Sequence, residues 1–409
     1  MMSFSYISQL RCPKCGATYT DMVENHLCCC GSPLLVQYDL DTMKRCVKRQ
    51  DLNKNYMSLW RYHFLLPVRD SSNIVTLGEG LTPLVPMERL ASTYHISSLL
   101  MKDEGLIPTG SFKARGAAVG VSKAKELGIQ ALTMPTNGNA GAAWALYAAR
   151  ANMASYIVMP LDAPEITRRE VSAAGAHLFL VDGLISDAGK IVANLVQDYK
   201  LYDASTLKEP YRIEGKKTMG LELIEQLNWN VPDVILYPTG GGVGIIGIYK
   251  AIQELMTLGW IENSKMPRLV AVQSEGCAPI VQAWNNQSQE SVFWQQSETI
   301  AFGINVPKAI GDFLVLQALY ETEGCAIAVS ETDIKSTLHE IAEQEGCFVC
   351  PEGAATFAAA KRLREENWIK KGEQVVCLNT GMGLKYPNVI DVNKSILKKD
   401  ARIKIVHTS

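Results

Sequence analysis

From about residue 97 onward, short apolar runs alternate with longer amphipathic stretches. Ala131–Met134, Ser155–Met159 and His177–Val181 are compact apolar runs bounded by polar residues, the pattern of strands buried on both faces. Between them, 140–151 and 185–199 carry apolar side chains at helical spacing. A second series of apolar runs follows at Val234–Tyr237, Leu269–Val272, Ala326–Val329 and Val375–Leu378. Strands alternating with helices of about 10–15 residues predict parallel sheets covered by helices on both faces. Two such series predict two doubly wound α/β domains. We place the larger at 46–112 plus 213–409 and the smaller at 113–212. A separate N-terminal unit occupies 1–45.

The unusual residues fall where this architecture makes them useful. Thr136-Asn137-Gly138-Asn139, Thr239-Gly240-Gly241-Gly242 and Asn379-Thr380-Gly381 each directly follow an apolar run. Open parallel sheets bind ligands outside the carboxyl ends of their strands. Three polar, glycine-bearing loops on that edge, drawn from both series, predict a cleft between the two domains.

Composition narrows the classes without naming a function. The 409 residues are 47% hydrophobic and 20% charged with a net charge of −2 and no long basic block, which gives no reason to expect nucleic acid. No apolar run approaches the roughly 18 residues of a membrane span. Met1–Tyr6 has no charged region ahead of an apolar core, so a soluble cytoplasmic protein is expected.

Five of the eleven cysteines lie in the first 30 residues. Cys12-Pro13-Lys14-Cys15 followed by Cys28-Cys29-Cys30-Gly31 has the outline of a small zinc ribbon, with Cys12, Cys15, Cys28 and Cys30 as candidate ligands of a structural zinc. The competing reading is a degenerate ribbon that keeps the fold without metal. The remaining cysteines are scattered and fit a reduced intracellular protein.

Two segments carry the chemistry. Lys113 lies in Pro108-Thr109-Gly110-Ser111-Phe112-Lys113-Ala114-Arg115-Gly116, at a strand-to-helix junction among small residues. A lone lysine is ordinarily a solvated surface residue. In a low-polarity cleft its pKa falls, and it can form a Schiff base with an aldehyde. Gly240–Gly244 sits between an apolar strand and an apolar helix. No Lys-Ser/Thr follows to make a P-loop, and Gly242-Val243-Gly244-Ile245-Ile246-Gly247 fits the dinucleotide GxGxxG spacing, which alone is a weak signal. The remaining reading is a phosphate cup of consecutive N–H groups at a helix start. A reactive amine and a phosphate cup together are what pyridoxal 5'-phosphate (PLP) requires. Asn139 reads either as a helix cap or as an amide partner for a ligand's phenolate oxygen. Thr380 reads as a turn residue or as a hydroxyl facing a ring nitrogen.

In chain order, PTGSFKARG, TNGNAGAA, PTGGGVG and NTGMGLK resemble the four signature loops of fold-type II PLP enzymes, the tryptophan synthase β-like class. Within that class, Thr76–Leu84 and Arg212–Thr218 resemble the GEG-x-TPL and R-x-EG-x-KT elements of threonine synthases. The resemblance implies that Lys113 carries the cofactor as a Schiff base and shuttles protons. It implies that Phe112 contacts PLP, that Gly240, Gly241, Gly242, Val243 and Gly244 hold its phosphate, and that Asn139 and Thr380 meet its 3′-oxygen and ring nitrogen. It assigns substrate to Arg212, Ser111, Thr136 and Asn137, with Arg212 on the phosphate of O-phospho-L-homoserine. The implied reaction yields L-threonine and phosphate, in a monomer or homodimer that takes only a small-molecule substrate.

Three positions depart from the family pattern. Ala114 stands where an acid is usual, Ala140 where a threonine is frequent, and the phosphate cup is nearly all glycine. These departures point toward the alternative, a PLP-dependent serine/threonine dehydratase or a related enzyme such as a cysteate synthase. Arg212 and the cysteine-rich start favour the synthase.

Overall fold

The computed structural model describes residues 3–52, 55–262, 266–392 and 396–401. Three sheets organise them. The largest has six strands in the order Cys325–Val329, Arg268–Ser274, Val234–Pro238, Gln374–Asn379, Ser98–Asp103 and Leu84–Pro86. All neighbours run parallel except the edge strand Leu84–Pro86, which is antiparallel to Ser98–Asp103. Its central strands are continuous apolar runs with almost no solvent exposure, as a sheet covered on both faces demands. The second sheet is wholly parallel, ordered His177–Val181, Ala154–Pro160, Ala131–Pro135 and Tyr202–Asp203. Each apolar run read from the sequence is a strand, most extended by a residue or two at the ends.

The helix Arg212–Gln226 joins the two sheet units. Every residue from Arg212 to Ile224 is buried, because helices Lys113–Glu126 and Val243–Leu258 pack against it. Glycine lets these backbones meet: a Cβ on Gly215 would fall on the Arg115 carbonyl. One on Gly247 would lie 2.8 Å from the Lys217 nitrogen. At this junction Arg115 bonds Glu104 (2.6 and 2.8 Å) and Glu222 (3.0 and 3.1 Å), and Lys102 joins Glu222 at 2.5 Å, all fully buried. Buried charges are tolerated only when paired in this way. The network fixes the first turns of the helix that begins at Lys113.

The N-terminal segment forms a three-stranded antiparallel sheet from Ile7–Arg11, Thr18–Tyr19 and Leu35–Tyr38. Its Asp21 is buried between Lys123 (3.1 Å) and Arg69 (2.8 Å), and its Tyr38 hydroxyl donates to Glu214 at 2.7 Å. It is therefore tied to two of the three junction helices. No helix among the described residues is long and apolar enough to cross a membrane.

Candidate active site

Lys113 is the first residue of helix Lys113–Glu126. The loop before it is strapped to the loop after strand Gln374–Asn379. The Phe112 N–H donates to the Thr380 carbonyl (3.0 Å), Ser111 pairs with Gly381, and the Met382 N–H donates to the Gly110 carbonyl (2.9 Å). Asn379 locks this second loop by donating to Asp103 (2.7 Å) and accepting from the Cys350 N–H (3.3 Å). The Lys113 amine lies 3.8 Å from the centroid of the Phe112 ring. Burial is the main force on its pKa and draws it down to about 8; Glu352 pulls it up and Arg212 pushes it further down.

The glycine cup begins where strand Val234–Pro238 ends and closes in helix Val243–Leu258, with Gly242 left-handed at φ 76°. The N–H groups opening this helix have no intrahelical partner. Among the described residues, no loop hydrogen bond engages those of Gly240–Gly244. A Cβ on Gly244 would overlap the Tyr237 hydroxyl, so only glycine lets the backbone lie this close to that ring.

Arg212 opens the junction helix, 3% exposed, with its guanidinium 4.8 Å from the Trp144 ring. It donates to Thr206 Oγ1 (2.8 Å) and to the Ala204 carbonyl, while Nε, 4.0 Å from the buried Glu209 Oε2, has no hydrogen bond. Asn139, first in helix Asn139–Arg150, is buried; its amide reaches the Tyr386 hydroxyl, and Oδ1 is unpartnered. Tyr386 donates to Glu352 Oε1 (2.7 Å) and stacks on Phe302. Thr380 Oγ1 stands 3.9 Å from Cys350 Sγ.

Lys113, Phe112 and Thr380 are thus joined through one pair of strapped loops, and the glycine cup adjoins them where Tyr237, packed on Gly244, meets the Phe112 ring edge-on at 6.1 Å. Ser111 is buried beside them with Oγ unpartnered. Thr136 is placed differently: its hydroxyl accepts from the N–H groups of Gly138 and Gly141 (both 3.1 Å), so it shapes its own loop. Asn137 is half-buried next to it. Glu352, Cys350 and Tyr386 are site residues that sequence reasoning missed. Glu352 in the first turn of helix Pro351–Glu365 reads as a dipole partner, and Tyr386 lies just past a recognised motif.

The residues present fit PLP by their unmet needs. Asn139 Oδ1, Ser111 Oγ, Thr109 Oγ1, Tyr237 Oη, Arg212 Nε and Glu352 Oε2 are buried without hydrogen-bond partners. Buried polar atoms are rarely left so, and a concentration of them marks a place built for a polar ligand. Away from the cleft, the sulfurs of Cys12, Cys15, Cys28 and Cys30 all lie within 4.8 Å of one another, close to the roughly 3.8 Å edges of a tetrahedral Zn–S site. Cys28 is drawn down to about 6 by the Cys30 N–H and the Tyr19 hydroxyl, toward the thiolate a metal needs.

Residues 75–381 match the family model described as pyridoxal-phosphate dependent enzyme. The threonine synthase of Methanocaldococcus jannaschii is 36% identical, over 92% of this chain and 93% of its own length. That of Methanosarcina acetivorans is 35% identical over 97% of both. Among solved structures, maize serine racemase superposes with a TM-score of 0.65 at 23% identity, covering 74% of this chain and 88% of that one. Tomato (Solanum lycopersicum) threonine deaminase isoform 2 gives 0.64 at 23% identity, covering 75% and 86%. These likenesses share the fold, and the closer sequence matches set the branch: the chain belongs to the threonine synthase family of pyridoxal-phosphate dependent enzymes.

Proposed function

We infer that the chain is a PLP-dependent carbon–oxygen lyase that converts O-phospho-L-homoserine and water to L-threonine and phosphate. One observation carries this reading. A lysine amine with a lowered pKa lies within reach of the charge of a buried arginine, and that arginine bonds Thr206, which adjoins a glycine cup whose N–H groups have no loop hydrogen bonds.

Bound there, PLP supplies the electron sink that makes the substrate's Cα and Cβ protons acidic. The chain's own residues do the rest. Gly240–Gly244 would hold the cofactor phosphate, Asn139 its phenolic oxygen, and the Thr380 hydroxyl its ring nitrogen. Lys113 Nζ would hold the cofactor covalently and would move protons at the substrate carbons. Arg212 orients the substrate phosphate and balances its charge as it leaves Cγ, after which water adds at Cβ. Ser111 lies beside the lysine as a further substrate donor. Cys12, Cys15, Cys28 and Cys30 hold a structural zinc remote from this chemistry. None of the eleven cysteines forms a disulfide, as suits a cytoplasmic protein.

Phosphate release from O-phospho-L-homoserine by the holoenzyme tests the reading. Arg212→Ala should lower kcat/KM roughly 100-fold or more while the absorbance of the lysine-bound cofactor persists. If the wild-type enzyme deaminated L-serine or L-threonine and ignored phosphohomoserine, a dehydratase would replace the synthase.

A further inference from the structure

Lys113 is not the only lysine against the Phe112 ring. Lys216, in the second turn of helix Arg212–Gln226, is 1% exposed. Its ammonium donates to the Phe112 carbonyl and lies 4.0 Å from the centroid of the ring that also carries the Lys113 amine. Glycines admit it. A Cβ on Gly116 would lie 3.1 Å from Lys216 Cε, and one on Gly247 would lie 3.1 Å from Lys216 Cβ. Gly247 belongs to the helix that opens in the glycine cup, one turn further on.

What sets Lys216 apart is its missing counter-charge. Lys102, Lys123, Lys217, Lys250 and Lys385 are also buried, and each is paired with at least one carboxylate. Among the described residues, no carboxylate pairs with Lys216. Glu104, whose charge reaches it, is already bonded twice to Arg115. Its other charged neighbours, Lys113, Arg212 and Arg115, are cations; after burial itself, they push its ammonium well below the ordinary lysine range. Burying a cation without a partner is costly. Here the chain gives up side chains at two positions to admit one among cations. An anion arriving with a ligand would restore the ammonium that these surroundings disfavour.

We propose that Lys216 is a phosphate-binding residue whose ammonium pairs with a phosphate dianion carried into the cleft. The donors on this side of the cleft suit a tetrahedral dianion: the Arg212 fork, whose charge reaches Lys216, and a compact ammonium, with the cup's N–H groups opening the helix that lays Gly247 against Lys216. Two sources bring that group, the cofactor's 5'-phosphate and the substrate's phosphate. The proposal rests on the reading of this cleft as a PLP site that takes a phosphorylated substrate.

Lys216→Met and Lys216→Gln separate the sources. Apo-protein is titrated with PLP and with pyridoxal, which lacks the phosphate. Holoenzyme is inhibited with inorganic phosphate against phosphohomoserine. If the cofactor is the partner, PLP affinity falls about tenfold or more and pyridoxal affinity holds. If the substrate is the partner, the inhibition constant of inorganic phosphate rises by a similar factor and PLP affinity holds. In either case the apo-variants stay folded and melt close to wild type, since burial and the neighbouring cations already disfavour the ammonium they replace. Unchanged responses to both phosphates would overturn the proposal. So would apo-variants that fail to fold, which would make Lys216 a packing residue. Should wild-type holoenzyme ignore phosphohomoserine, the proposed reaction falls, and the comparison of PLP with pyridoxal still decides Lys216.

Discussion

The pH dependence of cofactor capture should report the state of Lys113 directly. Only the neutral amine attacks the PLP aldehyde, and burial lowers the Lys113 pKa from an ordinary 10.5 to about 8. At pH 7 about one molecule in ten then carries a neutral amine, against roughly one in three thousand for an unperturbed lysine, an advantage of roughly 300-fold. Stopped-flow absorbance of apo-protein mixed with PLP should show a rate rising about tenfold per pH unit and levelling off near pH 8. Glu352→Gln removes the carboxylate that pulls the lysine up, so its profile should level off at lower pH. The same shift acts on stability. Between about pH 8 and 10.5 the unfolded chain holds a proton that the folded apo-protein has lost, so stability rises with pH across that window, by about 3 kcal/mol at most. Lys113→Met should flatten that rise and abolish the visible band. A capture rate still climbing between pH 9 and 10 would mean an ordinary lysine, and the argument from burial would fail.

Other perturbations probe the rest of the fold. Gly244→Ala drives a methyl group into the buried Tyr237 ring, so PLP titration should show at least about a tenfold loss of affinity, with about 1–3 kcal/mol lost from stability; unaltered affinity would place the cofactor phosphate elsewhere. Burial would raise the Glu222 pKa, but Arg115 and Lys102 outweigh it and hold it at about 2. The stability it confers is present above about pH 4.5 and lost as pH falls toward 2. Glu222→Gln should therefore cost about 3–5 kcal/mol in urea unfolding at pH 7 and weaken the acid dependence, and an unchanged acid limb would refute the pairing. Protein expressed with zinc should carry about one ion per chain, and Cys12→Ser or Cys30→Ser should lose it. Wild-type protein that folds metal-free with all four thiols titratable would show the ribbon to be degenerate.

What was legible in the sequence follows from how local each signal is. Apolar runs such as Val234–Tyr237 announce strands because a doubly covered sheet excludes polar side chains along its whole length. The loops after them stand out because glycine and asparagine are concentrated there. Charged residues give the opposite experience. Lys102, Glu104, Arg115 and Glu222 look individually like surface residues, since lysine and glutamate are rarely buried unless paired. Their pairing spans up to 120 positions and exists only after strand Ser98–Asp103 docks beside the junction helix. Tyr386 and Glu352 were hidden for the same reason, their hydrogen bond joining two segments 34 residues apart. Lys216 was in view, inside a recognised motif, but its want of a carboxylate is visible only in three dimensions.

The two alanines that depart from the family pattern separate once they are placed in the fold. Ala114 is fully buried in an apolar core that includes Ile107, Ala118, Ala142 and Trp144. An acid there would enter that core, and the adjacent arginine already has Glu104 and Glu222 as partners. Its identity is a matter of packing and says little about substrate. Ala140 is different: it is partly exposed, in the first turn of the helix that starts at Asn139, and it removes a hydroxyl from the rim of the cleft. Arg212 rests on Trp144 of that same helix, and Lys216 follows Arg212 by one turn. The chain thus lacks a neutral donor on one wall and carries an unpaired ammonium next to the other. An ammonium binds a phosphate dianion more strongly than a hydroxyl does, and with less directional demand. Loss of the threonine is therefore compatible with a phosphorylated substrate, provided that Lys216 supplies the charge.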